Sequence, residues 1–137
     1  MEKYLHHKPM IHVVLGVIIC NHHVLLAKRT AEQTLSGYWE FPGGKVEPNE
    51  TLLDALAREL KEEVNIEVVK PVLFHDKLVE YDKYFIHLYG FVVSEYHRQL
   101  KHLEGNEILW CDLDSISDMP IIDANHEFID CLRDYLN

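Results

Sequence analysis

Glu59, Glu62 and Glu63 stand in a segment whose apolar residues recur at helical spacing. With Glu59 at the origin of a helical wheel advancing about 100° per residue, Glu62 and Glu63 fall within roughly 60° on either side of it. Three carboxylates therefore crowd one face. Like charges this close repel, and each raises its neighbours' pKa. A hard divalent cation, Mg²⁺ or Mn²⁺, resolves the conflict, because it prefers oxygen ligands and shares them among carboxylates, water and a substrate phosphate. An acidic run on a helix is commonly only a solvated face, so its neighbours decide. The Gly43-Gly44 turn can bring a backbone carbonyl toward the same ions, since glycine has no side chain in the way. Glu50 lies between that turn and the helix.

The elements that must hold these groups are legible from periodicity. Thr51 with Asp54 three residues on reads as a helix start, and Leu53, Leu56, Ala57, Leu60 and Val64 recur at helical spacing. Asn65 is a left-handed stop. Upstream, the β-branched run Val13 to Ile19 predicts a buried strand, with Val24 to Ala27 as its hairpin partner. Residues 30–37 read as polar loop and 38–41 as a short strand closed by the breaker Pro42-Gly43-Gly44. Strands are expected at 66–74, 76–81, 84–94 and 108–111, a polar loop at 95–106, and a last helix over 124–136 presenting Phe128, Leu132 and Leu136 on one side. The fold class is α+β: a mixed central sheet with an early helix and a C-terminal helix, in one domain spanning 1–137 with a loose leader at 1–9.

Composition narrows the functions. At 47% hydrophobic and 26% charged, the chain is an ordinary globular sequence. A formal charge of −10 argues against a nucleic-acid polymer as partner, which calls for a basic face. An acidic protein still holds a phosphorylated small molecule when metal ions stand between carboxylate and phosphate. Cys20, Cys111 and Cys131 are widely spaced, so free thiols in a reducing cytoplasm are expected. No apolar run reaches the roughly 20 residues needed to span a bilayer. The ten histidines include the adjacent pairs His6-His7 and His22-His23. Neighbouring side chains in a strand or turn point different ways, so no histidine metal site is expected.

From Gly44 the chain reads Gly, five residues, Glu50, seven residues, then Arg58-Glu59-Leu60-Lys61-Glu62-Glu63-Val64-Asn65-Ile66. This resembles the Nudix box, the signature of hydrolases acting on nucleoside diphosphates linked to another group. The one departure is Asn65 where the box has glycine, and asparagine is the next residue most tolerant of positive φ. The resemblance implies an α/β/α sandwich carrying a catalytic loop–helix–loop. It further implies that Glu59, Glu62 and Glu63 are metal ligands or the general base, with the Gly43 carbonyl as another ligand. Arg58 would orient Glu59, and Glu50 would be a structural or outer acid. A metal-activated water would attack a phosphorus of the phosphoanhydride.

Within that family the stretch from about Val13 to Asn125 is most similar to the MutT-type hydrolases of 8-oxo-dGTP. Leu26-Ala27-Lys28-Arg29 resembles the strand whose arginine touches the nucleotide, and Glu40-Phe41-Pro42-Gly43-Gly44-Lys45 resembles the lead-in to the box. The likeness implies Arg29, Glu40, Phe41, Pro42 and Gly43 as substrate-binding residues, and Glu104 as a further metal-binding or basic glutamate, with Glu107 its rival. Asn125 resembles a base-reading asparagine. Its amide offers an acceptor and donors, which suits the N7–H and O6 of oxidised guanine, whereas ordinary guanine presents two acceptors there. A helix N-cap is the alternative role for Asn125. Thr34 and Tyr84 depart from the pattern, where a histidine and an arginine would stand, and Pro120 to Asn125 is two residues longer.

The expectation is a Mg²⁺- or Mn²⁺-dependent nucleoside triphosphate pyrophosphohydrolase, cytoplasmic, monomeric or weakly dimeric, acting on 8-oxo-dGTP. Two readings compete with it. One is a Nudix pyrophosphatase for CTP, dCTP or methylated dCTP, and the other is a Nudix-fold binding module without turnover. Tyr38, Phe41, Tyr84 and Phe85 are candidates for stacking on a base, although a sheet core is the commoner fate of such rings.

Overall fold

The computed structural model describes residues 8–137. The leader at 1–9 therefore falls almost wholly outside the described residues, and its last two positions are tied down. Lys8 donates from Nζ to the Tyr81 carbonyl at 3.0 Å, and the Pro9 carbonyl accepts from the Phe85 N–H at 2.9 Å.

The spine is β1 (Met10–Cys20), three residues longer at its start than the β-branched run alone predicts. It turns through Asn21 and His22, both at positive φ, into β2 (His23–Lys28). Next come β3 (Trp39–Glu40), β4 (Gly43–Lys45), α1 (Leu52–Val64), β5 (Glu67–Val69), β6 (Val72–Glu80), β7 (Phe85–Val93), β8 (Glu95–His97) and β9 (Ile108–Asp112). A 3-10 turn at Ile116–Asp118 precedes α2 (Asp123–Leu136). The main sheet runs β3-β2-β1-β7-β6, with β4 pairing onto β1 and β9 onto β2, while β5 and β8 form a separate ribbon. Among the strand pairs of the described residues β1–β7 alone is parallel, so the sheet is mixed, as expected.

Alternation along the strands divides the core. Leu15, Val17, Val24, Leu26, Leu88 and Val92 face α2, together with Phe128, Ile129 and Leu132. Val14, Ile18, Leu25, Phe91 and Val93 face α1, together with Ala55, Leu56, Leu60 and Val64. A period-2 strand buried on both faces must be apolar at nearly every position, which is why β1 and β2 read as unbroken runs. The result is the α/β/α sandwich.

Several expectations need correction. Pro42-Gly43-Gly44 does not simply break the chain: Gly43 and Gly44 belong to β4 and pair with Leu15 and Val14. Residues 95–106 are not all loop, because Glu95–His97 pairs with β5. The boundary among the middle strands falls at Lys70-Pro71, where Lys70 takes positive φ and Pro71 cannot donate to a ladder, so 66–74 and 76–81 give way to β5 and β6. Leu136 is 44% exposed and Leu53 is 53% exposed, so neither belongs to the buried stripe. No helix of the described residues is long and apolar enough to cross a membrane.

Candidate active site

The acidic helix is built as its sequence requires. Thr51 Oγ1 accepts from the Asp54 N–H at 3.1 Å, which caps the start. Asn65 closes the end at φ 67°, and its side chain donates to the Gln99 carbonyl at 2.8 Å. The last carbonyls of a helix lack partners within it. Here Lys101 N–H donates to Val64 O at 3.1 Å and Leu103 N–H to Glu63 O at 3.0 Å. These two bonds fasten the loop that carries Glu104 to the end of α1.

The helix is brought against β4 by absent side chains. A Cβ on Gly44 would sit 2.4 Å from the Glu59 carboxyl carbon, and one on Gly43 would sit 1.9 Å from the Val14 carbonyl oxygen. No side chain fits at either place, so the two glycines allow the carboxylates to reach the strand. Glu63 Oε2 accepts from the Gly43 N–H at 3.1 Å.

The outcome is a cleft of about 300 Å³ lined by Glu40, Gly43, Glu59, Glu63 and Glu104. Burial pushes the Glu63 carboxyl up to about 8, against its bond from Gly43 and with help from the charges of Glu59, Glu40 and Glu104. Burial also raises Glu59, opposed by Arg58 and reinforced by Glu62 and Glu104. Glu40 is raised by burial in spite of its 2.7 Å bond from Arg29. Several acids, three of them part-buried, sharing too little positive charge form an oxygen-only donor set that suits a hard divalent ion.

Arg58 is the local organiser. It donates from Nε and Nη2 to the two Glu50 oxygens at 2.7 and 2.9 Å, from Nη1 to Glu59 at 2.9 Å, and from Nη2 to the Lys45 carbonyl at 3.0 Å. The bidentate bond holds the Glu50 carboxyl down at about 2. Glu50 is thus a structural acid, occupied by Arg58.

The structure does not gather every candidate. Glu62 lies 53% exposed at the rim, 3.5 Å from Arg58, and does not line the cleft. Glu107 pairs with Lys28 at 3.8 Å and lines a different depression, so of these two rivals Glu104 is the one that lines the cleft, where Glu32 of the 30–37 loop joins it. Phe41 is buried at 2% exposure and Pro42 is buried too, so neither side chain lines a cleft. Their contribution is main-chain: Phe41 N–H donates to Asn125 Oδ1 at 2.9 Å, and Pro42 O accepts from Gly16 N–H at 2.8 Å.

Asn125 is not an N-cap. Ile122 occupies that position, and Asn125 sits in the first turn of α2 at 1% exposure. The turn is stitched to β3 by Trp39 N–H to Pro120 O at 2.8 Å and Ile122 N–H to Trp39 O at 3.1 Å. Asn125 lines a second cleft, about 550 Å³, together with Arg29, Glu40, Leu88, Tyr81 and Tyr84. Glu40 lines both clefts, so the apolar one opens beside the acidic one.

Sequence reasoning missed Thr30, Glu32, Gln33 and Asn106, which line the acidic cleft, and Tyr81, which lines the apolar one. Asn106 had a signal, since it follows Glu104-Gly105; Thr30, Glu32 and Gln33 lie in a polar loop and had none. Thr34, noted as a departure, holds Arg29: its hydroxyl accepts from Nη2 at 3.1 Å. The histidine expectation is qualified at one place. His22, Asp112 and Asp114 bring ligand atoms within 4.8 Å of one another at the far end of β2 from Arg29. That group is largely exposed, and His22 is already paired with Asp114 at 3.2 Å.

Known proteins match this arrangement. The NUDIX domain family model matches residues 10–132. The CTP pyrophosphohydrolase of Escherichia coli K12 is 38% identical over 118 residues, covering 85% of this chain and 86% of its own. The 8-oxo-dGTP diphosphatase of Proteus vulgaris is 38% identical over 100 residues, covering 72% and 89% respectively. Among solved structures, the E. coli ORF135 protein superposes with a TM-score of 0.83 at 33% identity, covering 92% of this chain and 90% of its own. A MutT structure from a study of the Aliivibrio salmonicida and Vibrio cholerae proteins superposes with 0.77 at 28% identity, covering 88% and 94%. With the box on a capped helix, its Glu59 and Glu63 in one cleft and these relatives across most of its length, the chain belongs to the Nudix family, as a hydrolase similar to the MutT proteins.

Proposed function

We propose that this hydrolase converts 8-oxo-dGTP to 8-oxo-dGMP and pyrophosphate, with Mg²⁺ or Mn²⁺ as its metal. The observation that carries the base assignment is Asn125. Its oxygen is fixed by the Phe41 N–H, and among the described residues its amide nitrogen donates to no protein acceptor. The second lone pair of that oxygen is left for N7–H of oxidised guanine, and the amide nitrogen for O6. With ordinary guanine the oxygen would meet a lone pair, the kind of mismatch by which a polar site rejects a close analogue.

In the acidic cleft, Glu59, Glu63, Glu104 and the Gly43 carbonyl would hold the ion, with Glu62 supporting from the rim. The ion supplies phosphate charge neutralisation and a bound water of lowered pKa. Arg58 keeps Glu59 in one orientation through its fixed bonds to Glu50 and Lys45. Arg29, clamped between Glu40 and Thr34, borders the passage from base to phosphates.

A second reading has its own support, since one relative at 38% identity is a CTP pyrophosphohydrolase. An amide also matches cytosine, accepting from N4–H₂ and donating to N3. A panel of 8-oxo-dGTP, dGTP, CTP, dCTP and 5-methyl-dCTP assayed with Mg²⁺ decides. The proposal requires the highest kcat/KM on 8-oxo-dGTP, with Glu59→Gln and Glu63→Gln lowering kcat by about 10²–10⁴-fold. A preference for the cytidine nucleotides would replace it.

A further inference from the structure

The apolar cleft next to Asn125 has a wall that neither the acidic helix nor the asparagine explains. Tyr81 and Tyr84 stack on one another at 5.1 Å between ring centroids and 27° between planes, and both line the cleft. They are the only aromatic side chains among its lining residues; the rest of the apolar lining is aliphatic, including Leu15 and Leu88. Tyr81 is 42% exposed, so the pair leaves flat apolar surface open to solvent.

The pair is held in place rather than loosely displayed. The Tyr81 N–H donates to the Tyr84 carbonyl at 2.8 Å across the Asp82-Lys83 turn. Lys8 Nζ donates to the Tyr81 carbonyl at 3.0 Å, and Phe85, next to Tyr84, is bonded to Pro9 at 2.9 Å. Arg29, the only cationic side chain of the lining, is committed to Glu40 at 2.7 Å and to Thr34.

We infer that Tyr84, backed by Tyr81, is the platform on which the nucleobase lies, with the base edge directed to Asn125. This rests on the nucleotide-hydrolase reading and adds the contact that determines affinity for the base. The two contributions are separable. Stacking is insensitive to which hydrogens a base carries, because every base has a π-face; edge hydrogen bonding is not. Tyr84 therefore sets how tightly a purine is held, and Asn125 sets which purine.

The test is calorimetric binding of the monophosphates 8-oxo-dGMP and dGMP to the wild type and to Tyr84→Phe, Tyr84→Leu and Tyr81→Ala, with each variant's fold checked by circular dichroism. Tyr84→Leu, which keeps bulk but loses the plane, is expected to weaken both nucleotides by about ten- to a hundredfold and by the same factor. Tyr84→Phe is expected to bind as the wild type does, and Tyr81→Ala to fall between. Equal affinity in Tyr84→Leu and the wild type, a Tyr84→Phe loss as large as the Leu loss, or a wild type that binds neither nucleotide would each overturn the platform. Tyr84-dependent binding without release of pyrophosphate from 8-oxo-dGTP would instead overturn the hydrolytic reading and leave the platform standing.

Discussion

The side-chain oxygen of Asn125 accepts a hydrogen bond from the backbone N–H of Phe41 at 2.9 Å, across 84 positions of sequence. That bond joins the first turn of α2 to the segment leading into β4, and so links the apolar cleft to the acidic one. It also gives Asn125 a structural duty separable from base reading. Asn125→Ala leaves a buried N–H unpaired and should cost about 1–3 kcal/mol of stability. Asn125→Asp keeps the acceptor but has no amide donor. It should keep the Phe41 bond at the desolvation cost of a carboxyl at a position 1% exposed, while the rate ratio of 8-oxo-dGTP to dGTP stays reduced. A ratio equal to wild type in Asn125→Asp would show that the amide does not read the base.

The Glu63 carboxyl predicts a pH dependence in the absence of metal. The unfolded chain releases this proton near 4.5, whereas burial makes the metal-free fold keep it up to about 8. The proton-linked stability is thus fully present below about pH 4.5 and is lost as pH rises through 8. In EDTA, Glu63→Gln should gain thermal stability over wild type across that window, and Mg²⁺ should narrow the gap because it takes the proton's place. Parallel Tm curves for the two proteins between pH 5 and 9 would refute this.

Arg58→Lys tests whether the guanidinium positions Glu59. A lysine cannot reproduce the two bonds to Glu50 at 2.7 and 2.9 Å together with the one to Glu59 at 2.9 Å. Activity or metal affinity should fall about 10–100-fold, as is typical when a group supporting a metal ligand is lost. Unchanged kcat and unchanged Mg²⁺ dependence would reduce Arg58 to a surface pair.

Asn65 takes the left-handed conformation at φ 67° where the family box has glycine. Asn65→Ala should destabilise by about 1–2 kcal/mol, the cost of that conformation for a residue with a Cβ and no local hydrogen bond. Asn65→Gly should keep the fold but lose the bond to Gln99, loosening the segment that carries Glu104. Denaturant melts and the activity of Asn65→Gly check the two halves separately.

The sequence by itself determined the α+β order of elements and the capped acidic helix, because each depends on neighbours within a few residues or on strict periodicity, whereas the sandwich and the Arg58–Glu59 relation were implied only by the resemblance to the Nudix box. Thr51, Asp54, Leu56, Leu60, Val64 and Asn65 specify α1 almost without help from the rest of the chain. Periodicity alone placed Glu62 beside Glu59 and Glu63. Only the packing of α1 on β4 set it at the rim, since the two glycines admit Glu59 and Glu63 to the cleft. Tertiary structure likewise decided that Phe41 acts through its backbone, that Glu104 and not Glu107 reaches the acids, and that Tyr81 and Tyr84 form one surface. Those facts depend on bonds such as Leu103 to Glu63 and Trp39 to Pro120, between segments far apart in the chain. No local pattern encodes such bonds, because each is fixed by where two surfaces come to rest once the core has closed.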